Sequence, residues 1–257
     1  MLGAVRHNDI IPWDDDIDIM MPREDYDRLL GLKDEFASSN YELVSIRDKG
    51  YYLTSAKIYD KRTTIWEMRR FEYLVGVFVD IFPLDCIDLD LAAYKQQYSV
   101  YARVRETYQM TLSKFSFSEF MWDLKKMHPN ALKSGLKSLF YPNSRIDSAY
   151  SKLLEVERMF CNHSGNFIIS PSGAYGTREF FLSDWFQDFL IMPFRHLEVR
   201  VPIGYHEYLR VMYGEYNELP PENQRVSHHG QYYVNLNAAL SVEDVKTRIK
   251  QKKYYEA

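Results

Sequence analysis

The acidic run in IPWDDDIDIMMPREDYDRLL, residues 11–30, constrains this chain more than any other stretch. Asp14, Asp15, Asp16 and Asp18 fall within five residues, with apolar residues on both sides. In an extended strand Asp14, Asp16 and Asp18 share one face, while Ile17 and Ile19 take the other. Carboxylates this close repel one another and lose hydration when partly buried, so a cation is needed to hold them together. An oxygen-only ligand set suits magnesium or manganese. A solvated acidic loop would not carry Trp13, Ile17, Ile19, Met20 and Met21. A calcium loop would need Gly at its sixth position and Glu at its twelfth, where counting from Asp14 gives Ile19 and Asp25. Pro22 then stands where the first turn of a helix is expected, and Glu24, Asp25 and Asp27 suit the positive end of the helix dipole.

A second carboxylate anomaly lies in GVFVDIFPLD, residues 76–85. Val75, Val77, Phe78, Val79, Ile81 and Phe82 read as a strand buried in a sheet, with Asp80 in its middle and Pro83 at its end. A lone buried carboxylate requires a cation or hydrogen-bond donors. Asp80 is therefore the natural third carboxylate for Asp16 and Asp18, and Asp85 and Asp88 read as turn residues. Between the two acidic stretches, residues 24–36 carry a helical apolar stripe. Residues 41–46 and 51–59 read as strands joined by a turn at Asp48, Lys49 and Gly50, with a further short strand at residues 63–66. Lys57 lies inside the second of these strands, where it either meets a phosphate as a point charge or protects an exposed edge. Arg6 and His7, just ahead of the aspartates, suit an anionic ligand, with a salt bridge from Arg6 to the acidic run as the alternative.

The remaining pattern is mostly helical. Residues 90–111 carry Leu91, Tyr94, Tyr98, Tyr101 and Val104 on one stripe, and further helices are expected over 118–127, 132–140, 144–160, 205–212 and 242–254. A short strand is expected at 167–169. Trp185, Phe186, Phe189 and Phe194 read as core, and Glu198 as either a contributor to the site or a surface strand residue. His228 and His229 are adjacent, point in different directions and lack zinc spacing. His228 is the candidate contact to a phosphate or an acceptor. The 257 residues, 46% hydrophobic and 26% charged, are ordinary for a soluble globular protein. A net charge of −4 gives no general attraction to nucleic acid or an anionic membrane. No apolar run is long enough to span a bilayer, no signal segment opens the chain, and two cysteines make no disulfide framework. These features point to the cytoplasm.

GAVRHNDIIPWDDDIDIMMPREDYDRL, Ala56-Lys57-Ile58, GVFVDIFPLD and, near the C-terminus, VPIGYHEYLRVMYGEYNELPPENQRVSHH together resemble the LicD/fukutin family of phosphotransferases. The resemblance covers both ends of the chain around a variable middle. It implies a nucleotidyltransferase-like α+β fold, a mixed sheet with flanking helices. On that basis residues 1–257 form one domain, with residues 1–90 as the sheet core and 91–257 as a helical region and C-terminal motif packed on it. Asp16, Asp18 and Asp80 match the family's metal-binding carboxylates, with Mg²⁺ or Mn²⁺ as cofactor and Asp80 also drawing the proton from the acceptor. Two metals about 3.5–4 Å apart would hold the attacking and leaving oxygens of an in-line displacement. Arg6, His7, Lys57 and His228 are the expected substrate contacts. The implied donor is a CDP-linked small alcohol such as CDP-choline or CDP-ribitol. The implied acceptor is a hydroxyl of a cell-surface glycan, teichoic acid or lipopolysaccharide precursor, reached at the inner face of the membrane without an integral membrane segment. One alternative is a nucleotide-sugar glycosyltransferase, because an Asp-x-Asp pair also binds that metal. The resemblance further implies a helix and a glycine-rich turn ahead of the Leu-Gly-Ala-Val-Arg segment. Read from Met1 the chain lacks that turn, and the second alternative is a truncated, non-catalytic paralogue.

Overall fold

The acidic run leads into strand β1 (Asp18–Pro22), with Asp14, Asp15 and Asp16 in the irregular segment before it and not in a strand as expected, and β1 passes directly into helix α1 (Arg23–Gly31). A computed structural model of the chain describes residues 1–113, 143–161, 164–227 and 230–256. Beyond α1 come β2 (Tyr41–Val44), β3 (Ala56–Asp60), β4 (Thr64–Trp66) and the ten-residue β5 (Phe78–Ile87). Helix α2 (Leu91–Leu112) begins at an Asp90 cap whose side chain accepts the Ala93 N–H. Helix α3 (Ile146–Glu157) and strands β6 (Phe167–Ile169) and β7 (Phe180–Leu182) follow. The C-terminal part holds a hairpin of β8 (Phe189–Phe194) and β9 (Leu197–Pro202), helix α4 (Tyr205–Tyr213), β10 (Tyr233–Asn235), α5 (Val242–Lys250) and β11 (Tyr255–Glu256). The fold is α+β.

The main sheet runs β2-β3-β5-β6-β7, with β1 added on β5. Only the β1–β5 pair in it is parallel; β2–β3, β3–β5, β5–β6 and β6–β7 are antiparallel. Strand β5 is the hub. It pairs with β3 over Phe78–Ile81, with β1 over Asp80–Leu84 and with β6 over Asp85–Ile87. Pro83 therefore does not end the strand as expected. It falls between the stretches that pair with β3 and β6, where a missing N–H is tolerated. The sheet also draws β6 and β7 from beyond residue 90, and β10 with β11 joins β4 in a second, three-stranded sheet. The appended region is thus less purely helical than its sequence pattern.

Tyrosine is a packing residue here. On α2, Tyr94, Tyr101 and Tyr108 recur every seventh residue and are buried against Leu153 and Val156 of α3 and against Phe160. The Tyr101 hydroxyl donates to Thr54 Oγ1 at 2.9 Å and that of Tyr108 to the Tyr51 carbonyl at 3.0 Å, so these two buried rings keep a partner for their polar tips. A second cluster packs Tyr26 and Leu30 of α1 against Leu43, Ala56 and Ile81 of the sheet. A third joins Tyr208, Leu209 and Met212 of α4 to Phe181 and Tyr216, with Met1, Leu2, Val5 and Met20 packed against it. This last cluster brings the C-terminal block onto the segment that leads into the aspartates. Among the aromatics expected in the core, Trp185 and Phe186 pack there, whereas Phe189 is exposed on the hairpin.

Three local expectations are corrected. Pro22 is the last strand residue and the cap of α1, because its backbone stays extended to pair with Leu84. Ile17 and Ile19 are exposed. Asp85 is not a turn residue: it is fully buried in β5 and accepts two hydrogen bonds from Arg23, at 2.6 Å from Nε and 2.8 Å from Nη2. This bidentate pair ties the first turn of α1 to β5, and so fixes where β1 ends. The helices expected over 118–127 and 132–140 lie outside the described residues. Among the described residues no helix is long and apolar enough to cross a membrane.

Replacing Asp85 by Ala leaves the buried Arg23 guanidinium with only its longer 3.9 Å contact to Glu157 Oε1, which should cost about 3–5 kcal/mol of stability, read as a lowered urea midpoint. The double change Arg23→Met with Asp85→Leu should recover most of that loss. A single-variant loss below about 1 kcal/mol would mean the pair behaves as a solvated surface bridge.

Candidate metal centre

The geometry follows from strand register. Cross-strand partners point to the same face of a sheet, and Asp80 is partnered by Asp18 of β1 on one side and by Lys57 of β3 on the other. The Asp80 N–H also bonds the Ile17 carbonyl at 3.0 Å, carrying the alignment one residue back along the acidic run. Asp16, two residues before Asp18, turns to the same side. Asp16, Asp18 and Asp80 each offer a carboxylate oxygen, and these oxygens lie within 4.8 Å of one another. Asp80 is buried, Asp16 half-buried and Asp18 exposed, so the group opens toward solvent at β1. Asp14 and Asp15 are exposed and lie outside this group.

Lys57 explains how Asp80 is tolerated inside the sheet. It is 1% exposed, and its Nζ lies 2.8 Å from both Asp80 oxygens and 3.1 Å from Glu67 Oε1. The Tyr52 hydroxyl donates to Glu67 Oε2 at 3.0 Å, and the Lys57 ammonium stands 3.4 Å from the centre of the Phe78 ring. A buried ammonium shared by two carboxylates is the pairing that burial demands. Lys57, expected either at a phosphate or on an exposed edge, is thus an internal counter-ion to Asp80.

The other expected contacts are spread around the N-terminal turn Gly3–His7. Arg6 Nη1 donates to the Tyr216 carbonyl at 2.8 Å. Partial burial, with Arg225 nearby, lowers its pKa from the usual arginine value. The His7 ring meets Trp13 edge-on at 5.8 Å between centres. Burial, with Arg6 beside it, holds the His7 imidazole below its usual range, so the ring is neutral at neutral pH and Arg6 carries the charge there. Glu198 is exposed on the β8–β9 hairpin, opposite Pro193. His228 and His229 lie outside the described residues.

Residues 1–87 match the family model described as LicD/FKTN/FKRP, nucleotidyltransferase domain. Over 235 residues the chain is 26% identical to the lipopolysaccharide cholinephosphotransferase LicD of Haemophilus influenzae, covering 90% of this chain and 84% of that one. The likeness to the LicD/FKTN/FKRP nucleotidyltransferase domain spans the acidic run, Lys57 and Asp80. No solved structure matches the chain. Arg6, His7, Asp16, Asp18, Lys57 and Asp80 all fall within the matched LicD-type segment.

A further buried acid lies close enough to Asp18 to feel its charge. Glu179, 1% exposed, lies beneath the loop 170–178 and accepts the Tyr175 N–H at 2.9 Å through Oε1. A Cβ on Gly173 would stand 2.0 Å from that same oxygen, so the loop can close over Glu179 only with glycine there. Nothing in the local sequence marks Glu179, because its burial comes from a loop fold and not from a periodic pattern.

Burial, with a contribution from the charge of Asp18, pushes the Glu179 carboxyl up to about 7 from 4.5. At pH below about 4.5 it is protonated whether the chain is folded or unfolded, and no penalty arises. Between about 4.5 and 7 the folded state holds the proton that the unfolded state releases, so stability falls as pH rises. Above about 7 the full penalty, on the order of 3 kcal/mol, is present. Glu179→Gln should therefore gain stability relative to the unchanged chain more at pH 8 than at pH 5 in urea titrations. An equal difference at both pH values would show that Glu179 is ionised throughout.

Proposed function

We propose that this chain transfers a phospho-alcohol group, such as phosphocholine or ribitol phosphate, from a CDP-linked donor to a hydroxyl of a cell-surface glycan, teichoic acid or lipopolysaccharide precursor. The observation that carries this reading is the convergence of Asp16, Asp18 and Asp80 in a LicD-type segment. A relative that is a lipopolysaccharide cholinephosphotransferase, aligned over most of both chains, supports the reaction class. On this reading residues 1–257 act as one domain, on the cytoplasmic side of the membrane that carries the acceptor.

The donor set fits the cofactor. Three carboxylates with no nitrogen or sulfur among them suit Mg²⁺ or Mn²⁺, with Asp16, Asp18 and Asp80 as the ligands. When bound, such an ion neutralises charge on the phosphate oxygens and orients them for displacement. The chain's own residues supply the rest. Lys57 holds Asp80 in place from behind through both carboxylate oxygens. Arg6, fixed by the Tyr216 carbonyl, turns positive charge toward the donor phosphates. Asp80 receives the proton of the acceptor hydroxyl as the new phosphate ester forms and CMP leaves.

The test is product analysis. Purified protein with magnesium and a glycan acceptor should release CMP from CDP-choline or CDP-ribitol and no UDP from nucleotide sugars. Asp18→Asn and Asp80→Asn should each lower the rate by at least ~10²–10³-fold, the scale for losing one preorganised charge-stabilising group. Release of UDP alone would mean a glycosyltransferase and overturn the proposal.

A further inference from the structure

At the start of the acidic run two arginines converge on one indole, that of Trp13. The Arg6 guanidinium carbon lies 5.9 Å from the centre of the Trp13 ring, and that of Arg225 lies 5.6 Å from it. They come from opposite ends of the chain: Arg6 from the turn Gly3–His7, Arg225 from the residue that follows the short 3-10 turn Glu222–Gln224. Both are positioned by main-chain carbonyls. Arg6 Nη1 donates to Tyr216 O at 2.8 Å, and Arg225 Nε donates to Pro220 O at 2.8 Å. Arg6 Nε also approaches His7 Nδ1 at 3.4 Å.

Carbonyl acceptors fix a guanidinium without cancelling its charge. Among the described residues neither arginine forms an ion pair with a carboxylate. The two like charges raise each other's energy, and the proximity of Arg225 contributes to the lowered pKa of Arg6. Such a pair is stabilised by an anion that takes donors from both guanidinium forks. Trp13 supplies a shared apolar floor and stands three residues before Asp16, leading directly into Asp14. An anion held here sits on the segment that runs straight into the residues that would hold a cation, an arrangement suited to a metal-bound diphosphate.

We propose that Arg6 and Arg225 form a two-armed clamp over Trp13 that takes a diphosphate, namely that of the nucleotide donor. The donor identity rests on the reading given under the proposed function; the clamp itself rests on the arginine geometry. The loop 215–225, which carries Arg225 and the carbonyls that hold both arginines, then becomes part of the donor site, although it lies far beyond the LicD-type match at residues 1–87. His7, neutral between Arg6 and Trp13, supports the clamp by packing.

Calorimetric titration of the full chain with CDP, inorganic pyrophosphate and cytidine, each with Mg²⁺, tests this. The unchanged protein should bind CDP and pyrophosphate, more weakly as salt rises. Arg225→Gln and Arg6→Gln should each weaken both ligands by ~10–100-fold, the scale for losing hydrogen bonds to a charged partner. Arg225→Lys should recover only part of the loss, because an ammonium lacks the planar fork. Circular dichroism of Arg225→Gln should match the unchanged chain, and cytidine affinity should not move. Unaltered CDP and pyrophosphate affinity in both Arg225→Gln and Arg225→Lys would overturn the clamp and leave the donor reading intact. An equal loss for cytidine would show a structural role and also overturn it. Pyrophosphate binding that needs Arg225, without any CDP binding, would uphold the anion clamp and sink the CDP-donor reading.

Discussion

The pairing of β1 with β5 is the constraint on which the rest of this structure depends, because it sets Asp18 directly against Asp80. Parallel pairing of these strands stacks negative charge at one sheet end, and packing alone does not tolerate that. Relief comes from the opposite neighbour, where β3 sets Lys57 in register with the same Asp80. The sheet therefore reads, across three strands, carboxylate, carboxylate, ammonium. Had β3 slipped by one residue, Lys57 would face the other side of the sheet and Asp80 would lose it. The charge pattern and the strand register thus specify each other.

A second buried pair reinforces the first from the helix side. Arg23 begins α1 immediately after β1 ends, and its bidentate grip on Asp85 locks that junction to β5 five residues beyond Asp80. The two ion pairs flank the β1–β5 stretch: Lys57–Asp80 ties β3 to β5 at one end, and Arg23–Asp85 ties the helix after β1 to β5 at the other. The C-terminal block closes the arrangement, since α4 packs on Leu2, Val5 and Met20 and the following loop places carbonyls around Arg6. Residues more than two hundred positions apart are therefore brought into contact.

Much of this is legible in the amino-acid sequence. An aspartate inside an apolar strand has few explanations, and Asp80 announced itself that way; the spacing of Asp16 and Asp18 announced theirs. The strand at Phe167–Ile169 and the α2 stripe of tyrosines were readable because period two and period 3.6 are local properties. Asp85 was misread because its partner is 62 residues away and only burial distinguishes it from a turn aspartate. Pro83 looked like a strand end because proline usually is one; its tolerance depends on where β3 and β6 stop and start. Lys57 offered two local roles, a phosphate contact and an edge guard, and tertiary structure gives it a third. Glu67, Glu179 and Arg225 had no signal at all, since each acquires its place from loop closure.

Anomalous scattering from crystals grown with manganese tests the central claim most directly. The account predicts a manganese peak at coordination distance from oxygens of Asp16, Asp18 and Asp80, with Lys57 still bonded to Asp80 behind it. The same crystals of Asp18→Asn should show that peak weakened or gone. Manganese bound elsewhere, or a peak indifferent to Asp18, would contradict the claim that the β1–β5 register builds a metal centre.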